Sequence, residues 1–180
     1  MPVLDLVIGP DPVFRQKALP VKVIDDEIRE LCDNMLETLY AERGIGIGAN
    51  MVGILKRVIV VDLQEEGVRK PLICINPKII KASKEMEARE EASLCFPGIR
   101  AEIKRPNTIT LSYQDQSGEK HTLEASDWLA TVIQHEIEYL DGRTFLDNLS
   151  KMKRDRLLKK MHKQLKHNHD CDDPHCSHEH

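Results

Sequence analysis

The sequence predicts an α+β domain, and three observations predict it. Residues 26–39 and 126–142 space their apolar side chains by three and four, the repeat of a helix with one buried stripe. Residues 54–124, between them, are rich in β-branched side chains and broken by turn signals. A third helical stretch at 150–166 closes the domain. The domain is therefore placed at residues 1–166, with residues 167–180 as a separate tail.

Residues 3–8 read as a short extended segment. Pro10-Asp11-Pro12 then interrupts regular structure, and residues 14–23 read as a connecting loop. Asp25 or Asp26 caps the first helix, which buries Ile28, Leu31, Cys32, Met35, Leu36 and Leu39 and ends at Gly44. Four glycines follow in the ten residues 44–53, so the backbone there must turn tightly or lie close to a ligand. The stretch lacks the Gly-Lys-Ser/Thr ending of a phosphate loop. A flexible linker and a pocket wall both remain open, and the Gly-Ile alternation suits a wall.

Strands are expected at 54–63 and at 72–77, the second closed by Pro77. Residues 85–91 are highly charged and read as an exposed strand or loop. Residues 99–104 alternate, and 107–113 with 120–124 form a hairpin around Gln116-Ser117-Gly118-Glu119. Ser126 is the expected N-cap of the next helix, and Gly142 its stop. Ser150 caps the last helix, which sets Leu157, Leu158, Met161 and Leu165 against many lysines and arginines. A charged face is usually just solvated. The excess of one sign also suits a phosphate-rich partner such as ribosomal RNA.

At 180 residues and a net charge of −4, the chain offers no global case for nucleic-acid binding, DNA included. No run is long enough to span a membrane, and no signal or transit segment is visible. Five cysteines without secretion signals fit reduced thiols in the cytoplasm or an equivalent organelle interior. The tail holds five of the eight histidines and two of the five cysteines. It is expected to be disordered and to bind divalent metals loosely.

Chemistry concentrates at Gln134-His135-Glu136-Ile137-Glu138-Tyr139-Leu140-Asp141-Gly142. A zinc-hydrolase helix carries His-Glu-x-x-His, with both imidazoles on the metal. Here the first His and the Glu are present, and Tyr139 stands at the second His. An isolated His-Glu pair on a helix is usually a satisfied or solvated pair, so the rest of the chain decides. Gly44-Ile45-Gly46-Ile47-Gly48-Ala49-Asn50-Met51, then Glu91-Ala92-Ser93-Leu94-Cys95-Phe96-Pro97, then the helix motif occur in that order. Together with Gly9-Pro10-Asp11-Pro12 and Phe145-Leu146-Asp147-Asn148-Leu149-Ser150, they resemble the peptide deformylase family over roughly residues 2–166.

The resemblance implies antiparallel and mixed sheets wrapped around a central metal-site helix. It implies Fe²⁺ or Zn²⁺ on one Cys and two His, activating a water that removes the formyl group from an N-terminal formyl-Met. Carried over residue by residue, His135 matches a metal ligand and Glu136 the acid–base. Leu94 matches the backbone oxyanion donor, and Gly44, Ile45, Gly46 and Ile133 match the substrate pocket. The departures are Ser93 at the Cys ligand, Tyr139 at the second His, Met51 at the oxyanion Gln and Ala92 at a glycine. Cys95, two residues past Ser93 and ~6–7 Å along a strand, is a candidate substitute ligand.

The expectation is a deformylase-like protein with a weak or absent pocket metal and absent or strongly reduced hydrolysis. Binding of nascent-chain N-termini, or of the ribosome through residues 150–166, would remain. The alternative is an active enzyme working through Glu136 on a rebuilt metal site.

Overall fold

The computed structural model describes residues 2–171. Seven strands and three helices follow one another in it: α1 (Asp26–Ala41), β1 (Gly46–Gly48), β2 (Val58–Val61), β3 (Leu72–Ala82), β4 (Met86–Ser93), β5 (Phe96–Pro106), β6 (Thr108–Gln114), β7 (Lys120–Ser126), α2 (Asp127–Leu140) and α3 (Lys151–Cys171). Strands β1-β2-β3-β6-β7 form one antiparallel sheet in that order, and β4 pairs with β5 in a separate hairpin. This is the α+β arrangement expected.

Helix α2 packs against the large sheet on one side and against β5 on the other. Its position explains its composition. A helix covered on both sides cannot keep a polar face, so residues 130–137, Tyr139 and Leu140 are all buried. Ala130, Ile133, Ile137 and Leu140 join a core with Ile59, Val61, Ile109 and Leu111 of the sheet. Tyr139 points the other way, into the main core of Phe14, Met35, Leu39, Met51, Phe96 and Phe145.

Most elements fall where the residue pattern puts them, with four differences. Helix α1 stops at Ala41, three residues before Gly44, with Asp25 accepting from the Ile28 N–H as its cap. Pro12–Arg15 coil into a short 3-10 helix capped by Asp11. Strand β3 runs through Pro77. The ladder shifts register between Ile75 and Lys78, so Pro77 sits at a bulge, where a missing N–H costs no regular bond. Asn76, at φ 51°, holds that bulge with bonds to both backbone groups of Val21.

Helix α3 extends to Cys171, past the boundary expected at residue 166. The rest of the His/Cys-rich tail, 172–180, lies outside the described residues. Ser150 accepts from the Lys153 N–H, as the cap expectation requires. No described helix is long and apolar enough to cross a membrane.

Candidate active site

A cavity of about 400 Å³ opens where the sheet edge, the β4–β5 hairpin and α2 meet. Gly44, Ile45, Gly46 and Met51 line one wall, and Glu90 to Leu94 line the other. Trp128, Thr131, Val132, His135 and Glu136 of α2 form the base, with Arg43 and Arg100 completing the lining. The glycines are there for contact. A Cβ on Gly46 would lie 2.7 Å from Glu136 Oε1, and one on Gly44 2.8 Å from Leu94 Cδ1.

His135 is fixed by a buried ionic chain. Its Nδ1 donates to Glu91 Oε1 at 2.8 Å, which leaves Nε2 toward the cavity. Arg105 grips Glu91 with two bonds of 2.8 and 2.9 Å and donates to Glu138 at 2.7 Å. Asn148 donates to the other oxygen of Glu138. Burial alone would hinder ionisation of Glu91, yet the bonds from His135 and Arg105 hold its carboxyl below the usual range. Residues 85–91 were expected to be exposed. Glu91 corrects this, because the inward face of β4 puts it against Arg105.

One turn along α2, the Tyr139 hydroxyl donates to Ser93 Oγ at 2.7 Å. Ser93 Oγ also accepts the Cys95 N–H at 3.2 Å. The Tyr139 ring is fully buried between Phe14 and His135, at centroid distances of 5.3 and 5.2 Å. Burial pushes its phenol well above the ordinary range, so it stays neutral. Met51 Sδ accepts the Gly48 N–H at 3.2 Å, so this side chain closes the glycine loop on itself.

Glu136 differs from every other acid in the site. It is buried, and its Oε2 has no hydrogen-bond partner among the described residues. Burial pushes its carboxyl up to about 7, with the Glu91 charge adding to the rise and His135 and Arg105 opposing it.

Residues 3–155 match the sequence profile of the polypeptide deformylase family. The chain belongs to the peptide deformylase family. It is 52% identical over 165 residues to a peptide deformylase-like protein of Rickettsia conorii, covering 92% of this chain and 90% of that one. It is 45% identical to the Rhizobium meliloti peptide deformylase, covering 92% and 96%. The Ehrlichia chaffeensis peptide deformylase solved with actinonin superposes with a TM-score of 0.87 at 38% identity, over 91% of this chain and 98% of that one. The family removes formyl groups from N-terminal formyl-Met and depends on a metal.

Within the deformylase frame, the structure brings His135, Glu136, Ser93, Leu94, Met51, Gly44, Ile45 and Gly46 to one cavity, and Tyr139 to Ser93 behind it. Two expectations need correction. Ile133 is buried in the sheet-side core, and its neighbour Val132 takes the pocket position, because successive helix residues diverge by about 100°. Cys95 does not share a strand face with Ser93. Leu94 and Cys95 form the turn between β4 and β5, which swings the thiol into the main core, 3.9 Å from the Met51 carbonyl. Burial there pushes the thiol up, away from thiolate.

Arg105 and Trp128 were not singled out. A signal for Arg105 was present: Ile99, Ala101, Ile103 and Arg105 alternate on one strand, and a cation on an apolar face demands a buried partner. Asp115, Glu119 and His121 also cluster at the β6–β7 turn, outside the cavity. There the Asp115 carboxylate already accepts from Ser117, Glu119 and His121.

Proposed function

We propose that the chain keeps the deformylase fold and cavity as a binding site for peptide N-termini, with the family's metal-dependent hydrolysis absent or strongly reduced. The observation that carries this reading is the hydrogen bond from Tyr139 to Ser93. Those two side chains stand where the family pattern has a thiolate and an imidazole, and they are spent on each other. Ligands bind metals deprotonated. A neutral phenol, a serine hydroxyl and one imidazole do not fit Fe²⁺ or Zn²⁺ as a Cys-His₂ set does. Met51 adds a second loss, since it cannot donate to an oxyanion. Removal of one such donor costs about 10²–10³ in rate.

The binding half of the reading rests on the strand edges. Among the described residues, β1 ends the large sheet and β4 pairs with β5 alone. Both contribute to the cavity walls, so an extended peptide end entering between them finds backbone partners. The apolar wall of Ile45, Leu94 and Val132 suits a methionine side chain. The ribosome is included as a partner through α3. That helix docks by Met161, Leu157, Leu158 and Leu165 and leaves Lys153, Arg156, Lys159, Lys160, Lys163 and Lys166 exposed.

Active deformylation through Glu136 on a rebuilt metal site is the alternative. The observation in its favour is Glu136 itself, whose carboxyl near 7 has the proton affinity of a general acid–base. Against it stands the placement of Cys95 away from the cavity. The deciding test uses anaerobically purified protein loaded in turn with Fe²⁺, Co²⁺, Ni²⁺ and Zn²⁺. Deformylation of a formyl-Met peptide is expected not to exceed that of Glu136→Ala. Turnover that disappears in the variant would establish the alternative.

A further inference from the structure

The loop at 62–70 lies outside the cavity, yet it holds the cavity's glycine wall. Asp62 is its anchor. The buried Asp62 carboxylate accepts from the Tyr40 hydroxyl at 2.6 Å and from the Gln64 and Lys70 N–H groups. Its backbone N–H donates to the Ile45 carbonyl at 2.9 Å. Arg69 stacks over the Tyr40 ring at 3.9 Å and ties the far end of the loop to the same point. One side chain then reaches the wall: Gln64 Nε2 donates to the Gly44 carbonyl at 3.0 Å. Gln64 itself lines no part of the cavity.

That bond decides which way a peptide plane faces. A trans peptide is planar, with its C=O and N–H on opposite sides. A Gly44 carbonyl drawn to Gln64 therefore turns the Ile45 N–H away from the loop, to the side where Gly44 and Ile45 line the cavity. This N–H donates to no backbone carbonyl among the described residues.

Gln64 does this in a conformation that does not suit a side chain. Its backbone is left-handed, at φ 50° and ψ 41°, and Glu66 is left-handed too, at φ 54°. Glycine adopts such a backbone without strain. Strain of this kind persists where the surrounding structure holds it. Here the glutamine amide is the part of the residue that reaches the wall.

We propose that Gln64 is a positioning residue for the peptide site. From outside the cavity it fixes the Gly44–Ile45 peptide plane, so that a backbone carbonyl of the bound chain end meets a donor already turned toward it. This rests on the peptide-binding reading above and extends the site to a loop that touches no ligand.

Calorimetry of the full chain, with chelator present, tests this with Met-Ala-Ser and with an isostere in which a trans alkene replaces the Met-Ala amide. The alkene keeps the shape of the ligand and removes the carbonyl. Gln64→Gly eases the left-handed backbone and deletes the amide donor. It is expected to bind Met-Ala-Ser about fivefold more weakly than the unaltered chain, and to bind the alkene as the unaltered chain does. Gln64→Glu keeps the length of the side chain without a donor and is expected to behave in the same way.

An unchanged affinity for Met-Ala-Ser in Gln64→Gly would overturn the role of Gln64 and leave the peptide-binding reading standing. Equal weakening of both ligands would make Gln64 a structural contact only, and would overturn the inference as well. No binding of either ligand to the unaltered chain would sink the peptide-binding reading, and this inference with it. If Gln64→Gly does not fold, Gln64→Glu decides by the same comparison.

Discussion

Tyr139 and Ser93 are hydrogen-bonded to each other, and the proposal that this pair stands in place of a cation can be tested by substitution. Ser93→Cys combined with Tyr139→His supplies a thiolate and a second imidazole beside His135. The double variant is expected to retain about one equivalent of Co²⁺ more than the unaltered chain, with a thiolate charge-transfer band that the unaltered chain lacks. The unaltered chain is expected to show no such band from its pocket, and a silent double variant would mean that the three positions do not converge on one ion. Glu136 allows a second prediction. The folded chain keeps its proton up to about pH 7, whereas an unfolded carboxyl releases it near 4.5. The folded state therefore binds more protons between those values, and stability falls as pH rises through that window, by about 3 kcal/mol in total. Glu136→Gln should abolish the fall, gaining stability at pH 8 and little at pH 4.5 in urea titrations. A pH-independent difference would refute the assignment. At this scale His135, Glu136 and Tyr139 were legible, because helical spacing fixes which residues share a turn. Cys95 was not, because a two-residue turn reverses the strand exactly where a straight extrapolation would continue it.

At the scale of elements, Arg105 ties β5 to β4 through Glu91 and to α2 through Glu138. Its removal takes the guanidinium from two acids, leaving buried Glu91 with His135 alone. Arg105→Met should cost about 3–5 kcal/mol in chemical denaturation. It should also loosen His135, seen as a broadened imidazole resonance. A cost below 1 kcal/mol would show that the network is solvated. The helices were legible from their stripes, and β6–β7 from the Ser-Gly turn between them. The reach of β3 past Pro77 was not, since proline reads as a stop unless the bulge that excuses it is known. The inner face of β4 was hidden by composition. Glutamates crowd the strand, and only the partner strand tells which of them is paired.

For the whole molecule, a net charge of −4 coexists with an α3 surface whose exposed charges are basic except for Asp155. The counterion argument makes a defined prediction for co-sedimentation with ribosomes. Binding should weaken with rising salt and disappear when Lys153, Arg154, Arg156 and Lys160 are reversed to Glu. Binding that survives both treatments would remove the electrostatic basis of the proposed partner. The hydrogen bond between Tyr139 and Ser93 also bears on how such a protein would fare in a cell. On the proposed reading, a pocket closed by these two hydroxyls relies on neither a thiolate nor an iron. Its ligand occupancy should therefore be indifferent to metal starvation and to thiol-blocking reagents, conditions that silence a thiolate–iron hydrolase of the same shape.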